Sequence, residues 1–119
     1  MQNYPKAIGP YSAYRKANGF LFISGQLPIN PISGEIETQD IKEQTKQSLK
    51  NIEAILKEND MDFSNVIKTT CFLADIKDFV SFNEIYSEFF TSPYPARSAF
   101  AVKDLPKAAK VEIEVIASK

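Results

Sequence analysis

Hydrophobic residues recur along this chain with two different periods, and the switches between them mark out the elements. Phe20-Leu21-Phe22-Ile23 carries hydrocarbon on both faces of an extended strand, so this strand is expected to be covered on both sides. Asn18-Gly19 separates it from the strand-like run Ala13–Ala17. Both residues of that dipeptide tolerate positive φ, which predicts a tight type I′ hairpin. Beyond Ile23, the stretch Ser24-Gly25-Gln26-Leu27-Pro28-Ile29-Asn30-Pro31 breaks the alternation and reads as loop, and Gly34 marks a further turn.

The period then becomes helical. Asp40 is placed to cap a helix, with Glu43 three residues on as its partner. Ile41, Thr45, Leu49, Ile52 and Leu56 form one stripe, and Lys42, Lys46, Lys50, Glu53 and Lys57 form a solvated side, until Asn59-Asp60 ends the pattern. Val66–Ala74, rich in β-branched residues, predicts a strand with Ile67, Thr69, Cys71 and Leu73 on one face. A second helix is predicted after Asp78, starting at Ser81 with Glu84 as its capping partner. Its residues Phe82, Ile85, Tyr86, Phe89 and Phe90 make a wide apolar stripe that reads as core.

Pro93 and Pro95 force an extended lead-in to a strand through Arg97, because each proline fixes its own φ and biases its predecessor away from helix. A link over Lys103–Ala109, containing Pro106, leads to a closing strand from Lys110 to Ala117. That strand alternates charge and hydrocarbon, which puts Glu112 and Glu114 on one face. The order ββαβαββ predicts one α+β domain over residues 1–119, with both helices on one face of one sheet. Phe20, Phe22, Val111, Ile113 and Val115 supply more apolar strand surface than two helices cover. The sheet's other face is therefore expected to be buried against further copies of the chain.

Composition narrows the chemistry. The 119 residues have a net charge of −1 and a pI of about 5.5, which implies no general affinity for nucleic acid. No apolar run approaches the roughly 20 residues that span a bilayer, and the N-terminal residues have no apolar h-region. A cytoplasmic protein without a membrane partner is the expectation. The chain has no histidine and one cysteine, Cys71, which reads as a small buried hydrophobe. Ser-His-Asp and Cys-His machinery, the usual zinc sites and a disulfide within one subunit are thereby excluded, and no metal site is expected. Neither Gly-x-x-x-x-Gly-Lys nor Gly-x-Gly-x-x-Gly occurs. Catalysis would fall to Arg, Lys, Glu, Asp, Tyr, Ser, backbone groups and water.

Within that inventory Arg97 stands out, because Ser98, Ala99 and Ala101 leave room beside it. A guanidinium so placed can grip a carboxylate through two charge-assisted hydrogen bonds. It can equally form a cross-strand ion pair with Glu112 or Glu114, and the spacing leaves both readings open.

Five motifs in register carry a resemblance over nearly the whole chain. They are Ala7-Ile8-Gly9-Pro10-Tyr11-Ser12, Ser24-Gly25-Gln26-Leu27-Pro28, Lys68-Thr69-Thr70 with Asn83 and Tyr86 beyond it, Pro95-Ala96-Arg97-Ser98, and Val111-Glu112-Ile113-Glu114. Together they resemble the RidA/YjgF family of reactive enamine/imine deaminases. The resemblance implies a chorismate-mutase-like fold, assembled as a homotrimer whose sheets pack into a central barrel with sites between subunits. It implies hydrolysis of 2-imino acids such as 2-iminobutanoate and 2-iminopropanoate to 2-oxo acids and ammonia, with no cofactor. Arg97 would hold the substrate carboxylate, and Glu112 would work with a water on the imine. Tyr11, Ser24 and Gly25 would come from the subunit that supplies Glu112; Asn83, Arg97 and the backbone at Ala99 would come from its neighbour. Two departures stand out: Ala99 occupies a position that is commonly cysteine in the family, and the link Thr91-Ser92-Pro93-Tyr94 is shorter than in some relatives. Labels attached to relatives offer two other readings, a regulatory module that binds a small carboxylate and a translation inhibitor acting as an endoribonuclease. The acidic pI and the lack of histidine and of a basic aromatic patch weigh against the second, so nucleic acid is not an expected partner.

Overall fold

The computed structural model describes residues 2–119. Seven principal elements follow the predicted order: β1 (Tyr14–Ala17), β2 (Phe20–Gln26), α1 (Ile41–Glu58), β3 (Val66–Leu73), α2 (Phe79–Phe89), β4 (Ala96–Ala101) and β5 (Val111–Ser118). Short 3₁₀ turns at Phe63–Asn65, Ile76–Asp78 and Pro106–Ala108 punctuate the connections. The five strands form one sheet in the order β1-β2-β5-β3-β4. All neighbours are antiparallel except β3 and β4, which run parallel because α2 carries the chain back between them.

Local chemistry accounts for several boundaries. Asn18 and Gly19 take φ values of 52° and 82°, the positive pair that a type I′ turn needs. The Asp40 carboxylate accepts the Glu43 N–H at 2.9 Å and caps α1 as its sequence predicts. The expected start of α2 at Ser81 is corrected to Phe79: the Ile76–Asp78 turn, capped by Asp75, runs directly into the helix. Phe90 also lies beyond the helix, in extended backbone, although its ring still reaches the core.

α1 and α2 cover one face of the sheet. Leu49, Ile52, Ile55 and Leu56 of α1 and Phe82, Ile85 and Tyr86 of α2 pack on Leu21, Ile23, Cys71, Leu73, Val111, Ile113, Val115 and Ala117. Val111, Ile113 and Val115 thus belong to the helix-covered face, so of the five residues expected to exceed the helices' cover only Phe20 and Phe22 do so. Ile67 is corrected too. The β3–β5 register shifts between Val66 and Lys68, so Val66 turns inward and Ile67 is 46% exposed. The open face instead carries Phe22, Phe72, Phe100 and Ile116, with Phe72 and Phe100 meeting edge to face at 5.5 Å. In one chain Phe20 and Phe22 remain 39% and 44% exposed, so the second cover expected for their strand is not supplied by this chain.

Two buried amides on α1 hold the connections that border β2 and β5. Asn51 Nδ2 donates to the carbonyls of Leu27 and Ile29 at 3.1 and 3.0 Å, pinning the chain just after β2. Gln44 Oε1 accepts the Lys110 N–H at 2.9 Å, and its Nε2 donates to the Thr38 carbonyl at 2.8 Å, fixing the lead into β5. At the other end of α1, the Glu58 carboxylate accepts from the hydroxyls of Tyr4 and Tyr14 at 2.8 and 2.7 Å, tying the N-terminal segment down. Burial first, and then this carboxylate, push the Tyr4 phenol up to about 12.

Candidate functional site

β2 does not break at Ile23, as its glycine suggests, but continues to Gln26 through a bulge. Ile23 pairs with Val115 and Gln26 with Ile113, so Ser24 and Gly25 together stand opposite the single residue Glu114. The Ser24 hydroxyl donates to the Ser12 carbonyl at 2.6 Å, and the Ser24 N–H donates to the Ala13 carbonyl at 2.9 Å. These bonds draw the Gly9–Ser12 segment, including the half-exposed Tyr11, beside the bulge. A side chain at Gly25 has no room: a Cβ there would lie 2.7 Å from Glu112 Oε2 and 2.8 Å from its Cδ. Tyr11, Ser24, Gly25 and Glu112 thus border one cleft of about 890 Å³, whose wall continues over Leu27 and Ile29. Half-buried on this wall, Glu112 has its carboxyl pushed above the ordinary carboxylate range, first by desolvation and then by the neighbouring charge of Glu114.

Arg97 lies elsewhere. It sits on β4, an edge strand, in register with Thr69 of β3. Its Nη1 donates to Asn83 Oδ1 at 2.7 Å. Its Cζ lies 4.7 Å from the centre of the Tyr86 ring and 5.4 Å from that of Phe79. All three contacts are on α2, so the Arg97 side chain lies on the helix-covered face. Ala99, two residues on, shares that face and stands opposite Cys71 in the β3–β4 register. Burial holds the Cys71 thiol up at about 11, consistent with the inert hydrophobe its sequence context predicts.

Glu112 projects from the other face. It pairs with Phe72, three residues along β3 from Thr69, and an odd offset on a strand reverses the face. The cross-strand ion pair between Arg97 and Glu112 or Glu114 is thereby ruled out: β3 intervenes and the faces are opposite. Among the described residues no carboxylate lies within ion-pair distance of Arg97. The singled-out residues therefore form two groups in one chain, Tyr11–Ser24–Gly25–Glu112 and Asn83–Arg97–Ala99. Neither group contains both the carboxylate and the guanidinium. Among the described residues no cluster of three or more acidic, cysteine or histidine side chains is placed to hold a metal ion.

Sequence reasoning did not find the aromatic surface under Arg97. Tyr86 was legible as part of the core stripe and, with Asn83, of the family resemblance, but not as a surface for Arg97, and Phe79 was not singled out. A usable signal was present, since Phe79, Asn83 and Tyr86 recur at i, i+4 and i+7 and so share one side of α2.

The endoribonuclease L-PSP family model matches residues 1–119. AldR of Lactococcus lactis, which carries a regulator's name, is 58% identical over 113 residues, covering 95% of this chain and 90% of that protein. The 2-iminobutanoate/2-iminopropanoate deaminase of Homo sapiens is 48% identical over 113 residues, covering 95% of this chain and 82% of the human one. Among solved structures, Escherichia coli TdcF with bound serine superposes with a TM-score of 0.94 at 40% identity, over 100% of this chain and 95% of that one.

Proposed function

Because the chain belongs to the RidA/YjgF family, which the endoribonuclease L-PSP model describes, we propose that it hydrolyses 2-imino acids to 2-oxo acids and ammonia. The observation that carries this reading is the division of the site. Among the described residues Arg97 is a guanidinium without a carboxylate partner, on an edge strand, and Glu112 is a half-buried carboxylate without a cationic partner, on the opposite face. Each half offers what the other lacks. They come together if copies of the chain associate so that one supplies Arg97, Asn83 and the backbone of Ala99 and the next supplies Glu112, Tyr11, Ser24 and Gly25. The exposed aromatic residues of the open sheet face favour such association, and a homotrimer is the proposed assembly.

The chemistry needs no external catalyst in this reading. A protonated 2-imino acid is already electrophilic at C2. Arg97 orients its carboxylate, and Glu112 accepts a proton from the water that attacks C2, giving a carbinolamine. The same carboxyl then returns that proton to nitrogen; as the C–N bond breaks, the C2 hydroxyl gives its proton to the Glu112 carboxylate and becomes the carbonyl of the 2-oxo acid, and the departing ammonia takes that proton away as ammonium. A proton acceptor that must give its proton back is helped by a carboxyl whose pKa lies above the ordinary range, as burial gives Glu112.

The direct test is release of 2-oxo acid and ammonia from 2-iminobutanoate generated in situ, measured against the spontaneous rate, with light scattering on the same sample. Faster release by a trimer is expected. A monomer at micromolar concentration would remove the composite site, and a trimer without acceleration would favour the second reading, a small-carboxylate-binding regulator, to which the AldR name lends support. Gly25→Ala is a sharper probe. The clash is with the mobile end of Glu112 rather than with backbone, so folding should be little affected. The carboxylate must move by about an ångström to clear the new methyl, and misplacement of that size lowers turnover by roughly a hundredfold. Unchanged turnover with an unchanged melting temperature would dissociate Glu112 from the chemistry.

A further inference from the structure

An arginine on an exposed edge strand ordinarily samples many rotamers, and each binding event must then immobilise it. Arg97 is held before any ligand arrives. Its guanidinium carbon lies over the Tyr86 ring at 4.7 Å and near the Phe79 ring at 5.4 Å, inside the range of cation–π attraction. The hydrogen bond to Asn83 uses one of its five N–H donors and sets the plane of the fork.

The surface it rests on is itself fixed. Tyr86 is buried and stacks on Phe90, with ring centres 4.5 Å apart and an interplanar angle of 30°. Its hydroxyl bonds to Thr69 Oγ1 at 2.9 Å, and Thr69 is the strand residue in register with Arg97. Phe79 packs its own ring near Phe82 at 6.2 Å. Strand, helix and arginine therefore close a short loop of contacts, in which Tyr86 and Thr69 are buried and Arg97 remains exposed.

We propose that Phe79 and Tyr86 form an aromatic cradle that pre-orients Arg97 for a ligand carboxylate, making both of them positioning residues that tune affinity for the 2-imino acid. This rests on the reading of Arg97 as the carboxylate clamp. The cradle acts on binding and not on the proton transfers, since Phe79 has no exchangeable proton on its ring and the Tyr86 hydroxyl is bonded to Thr69. Removing one ring frees the guanidinium to wander, so the ligand must pay the immobilisation that the rings now supply.

The experiment titrates 2-oxobutanoate, the product of the proposed reaction, into the wild-type protein and into Phe79→Leu, Tyr86→Leu, Tyr86→Phe and Arg97→Lys, with kcat and KM for 2-iminobutanoate measured alongside. Phe79→Leu and Tyr86→Leu should weaken 2-oxobutanoate and raise KM by about threefold to thirtyfold, the span of ordinary cation–π contacts, with kcat at saturation nearly unchanged. Tyr86→Phe breaks the bond to Thr69 and should lower the melting temperature, yet it keeps the ring and should bind like wild type. That contrast separates positioning from general loss of structure. Wild-type affinity in both leucine variants, with affinity lost in Arg97→Lys, would overturn the cradle alone. Equal loss in Tyr86→Phe and Tyr86→Leu would also overturn it, because the hydroxyl network would then be responsible. Undiminished binding in Arg97→Lys would overturn the clamp reading and the cradle with it.

Discussion

Arg97→Lys is expected to fold and melt like the parent and to lose most of its catalytic efficiency. The structure makes the first half specific. Arg97 is exposed on an edge strand and touches Asn83 and two rings, with no carboxylate to strand. Had it been a buried partner of Glu112, breaking the pair would cost about 3–5 kcal/mol. A surface change of this kind costs about 0.5 kcal/mol or less, a few degrees in melting temperature at most. Lysine keeps the charge and can still rest on Tyr86, but it lacks the planar fork that binds a carboxylate at two points. Losing one charge-assisted hydrogen bond, on the order of 1.5–3 kcal/mol, lowers kcat/KM roughly tenfold to a hundredfold or more. Thermal unfolding and imine hydrolysis on one preparation check both halves. A destabilised variant whose folded fraction turns over imine at the parental rate would sink the clamp assignment.

Glu112→Gln should show the opposite pairing, with activity lost and stability gained. The amide is close to the carboxylate in size but cannot carry a proton between water and nitrogen, a role worth about 10²–10⁴ in rate. The stability effect has a definite sign. Burial, and then Glu114, raise the folded-state pKa of Glu112 above its ordinary value of 4.5, so the folded protein holds this proton more tightly than the unfolded chain does. The resulting stabilisation is fully present below the unfolded-state pKa and is lost as pH rises through the raised value. As pH rises through the raised value the parent therefore acquires a charged, half-desolvated carboxylate that the variant lacks, and the variant should melt higher there. The gap should close on acidification and vanish below 4.5. Melting curves from pH 4 to 8 measure it. A parent that melts higher at neutral pH would mean that its carboxylate gains a cationic partner in the assembled protein.

What was legible in the sequence is what neighbours within a few residues decide. Asn18-Gly19 specifies its turn because both residues accept positive φ. Asp40 and Glu43 specify the start of α1 because the carboxylate and the N–H it accepts are one helical turn apart. The alternation from Val111 onward put Glu112 and Glu114 on one face, since strand geometry leaves no other choice. Pattern also yielded the order ββαβαββ and the two helices on one face of the sheet, and motif resemblance named the family. The start of α2 was misplaced for the same local reason: Ser81 and Glu84 resemble a capping pair, but Asp75 starts the turn earlier.

Sequence alone could not say which strands would be neighbours. β5, the last strand, sits between β2 and β3, and this placement brings Glu112 against Gly25 and makes the glycine necessary. The bulge at Ser24 and Gly25 exists only relative to its partner strand, so no feature of β2 by itself distinguishes it from a chain break. The parallel pairing of β3 with β4 sets Thr69 beside Arg97, and the register then sends Arg97 and Glu112 to opposite faces. Nothing within reach of either residue along the chain encodes that separation. It arises because side-chain direction on a strand is local, whereas the identity of the face is decided only when distant strands choose their register.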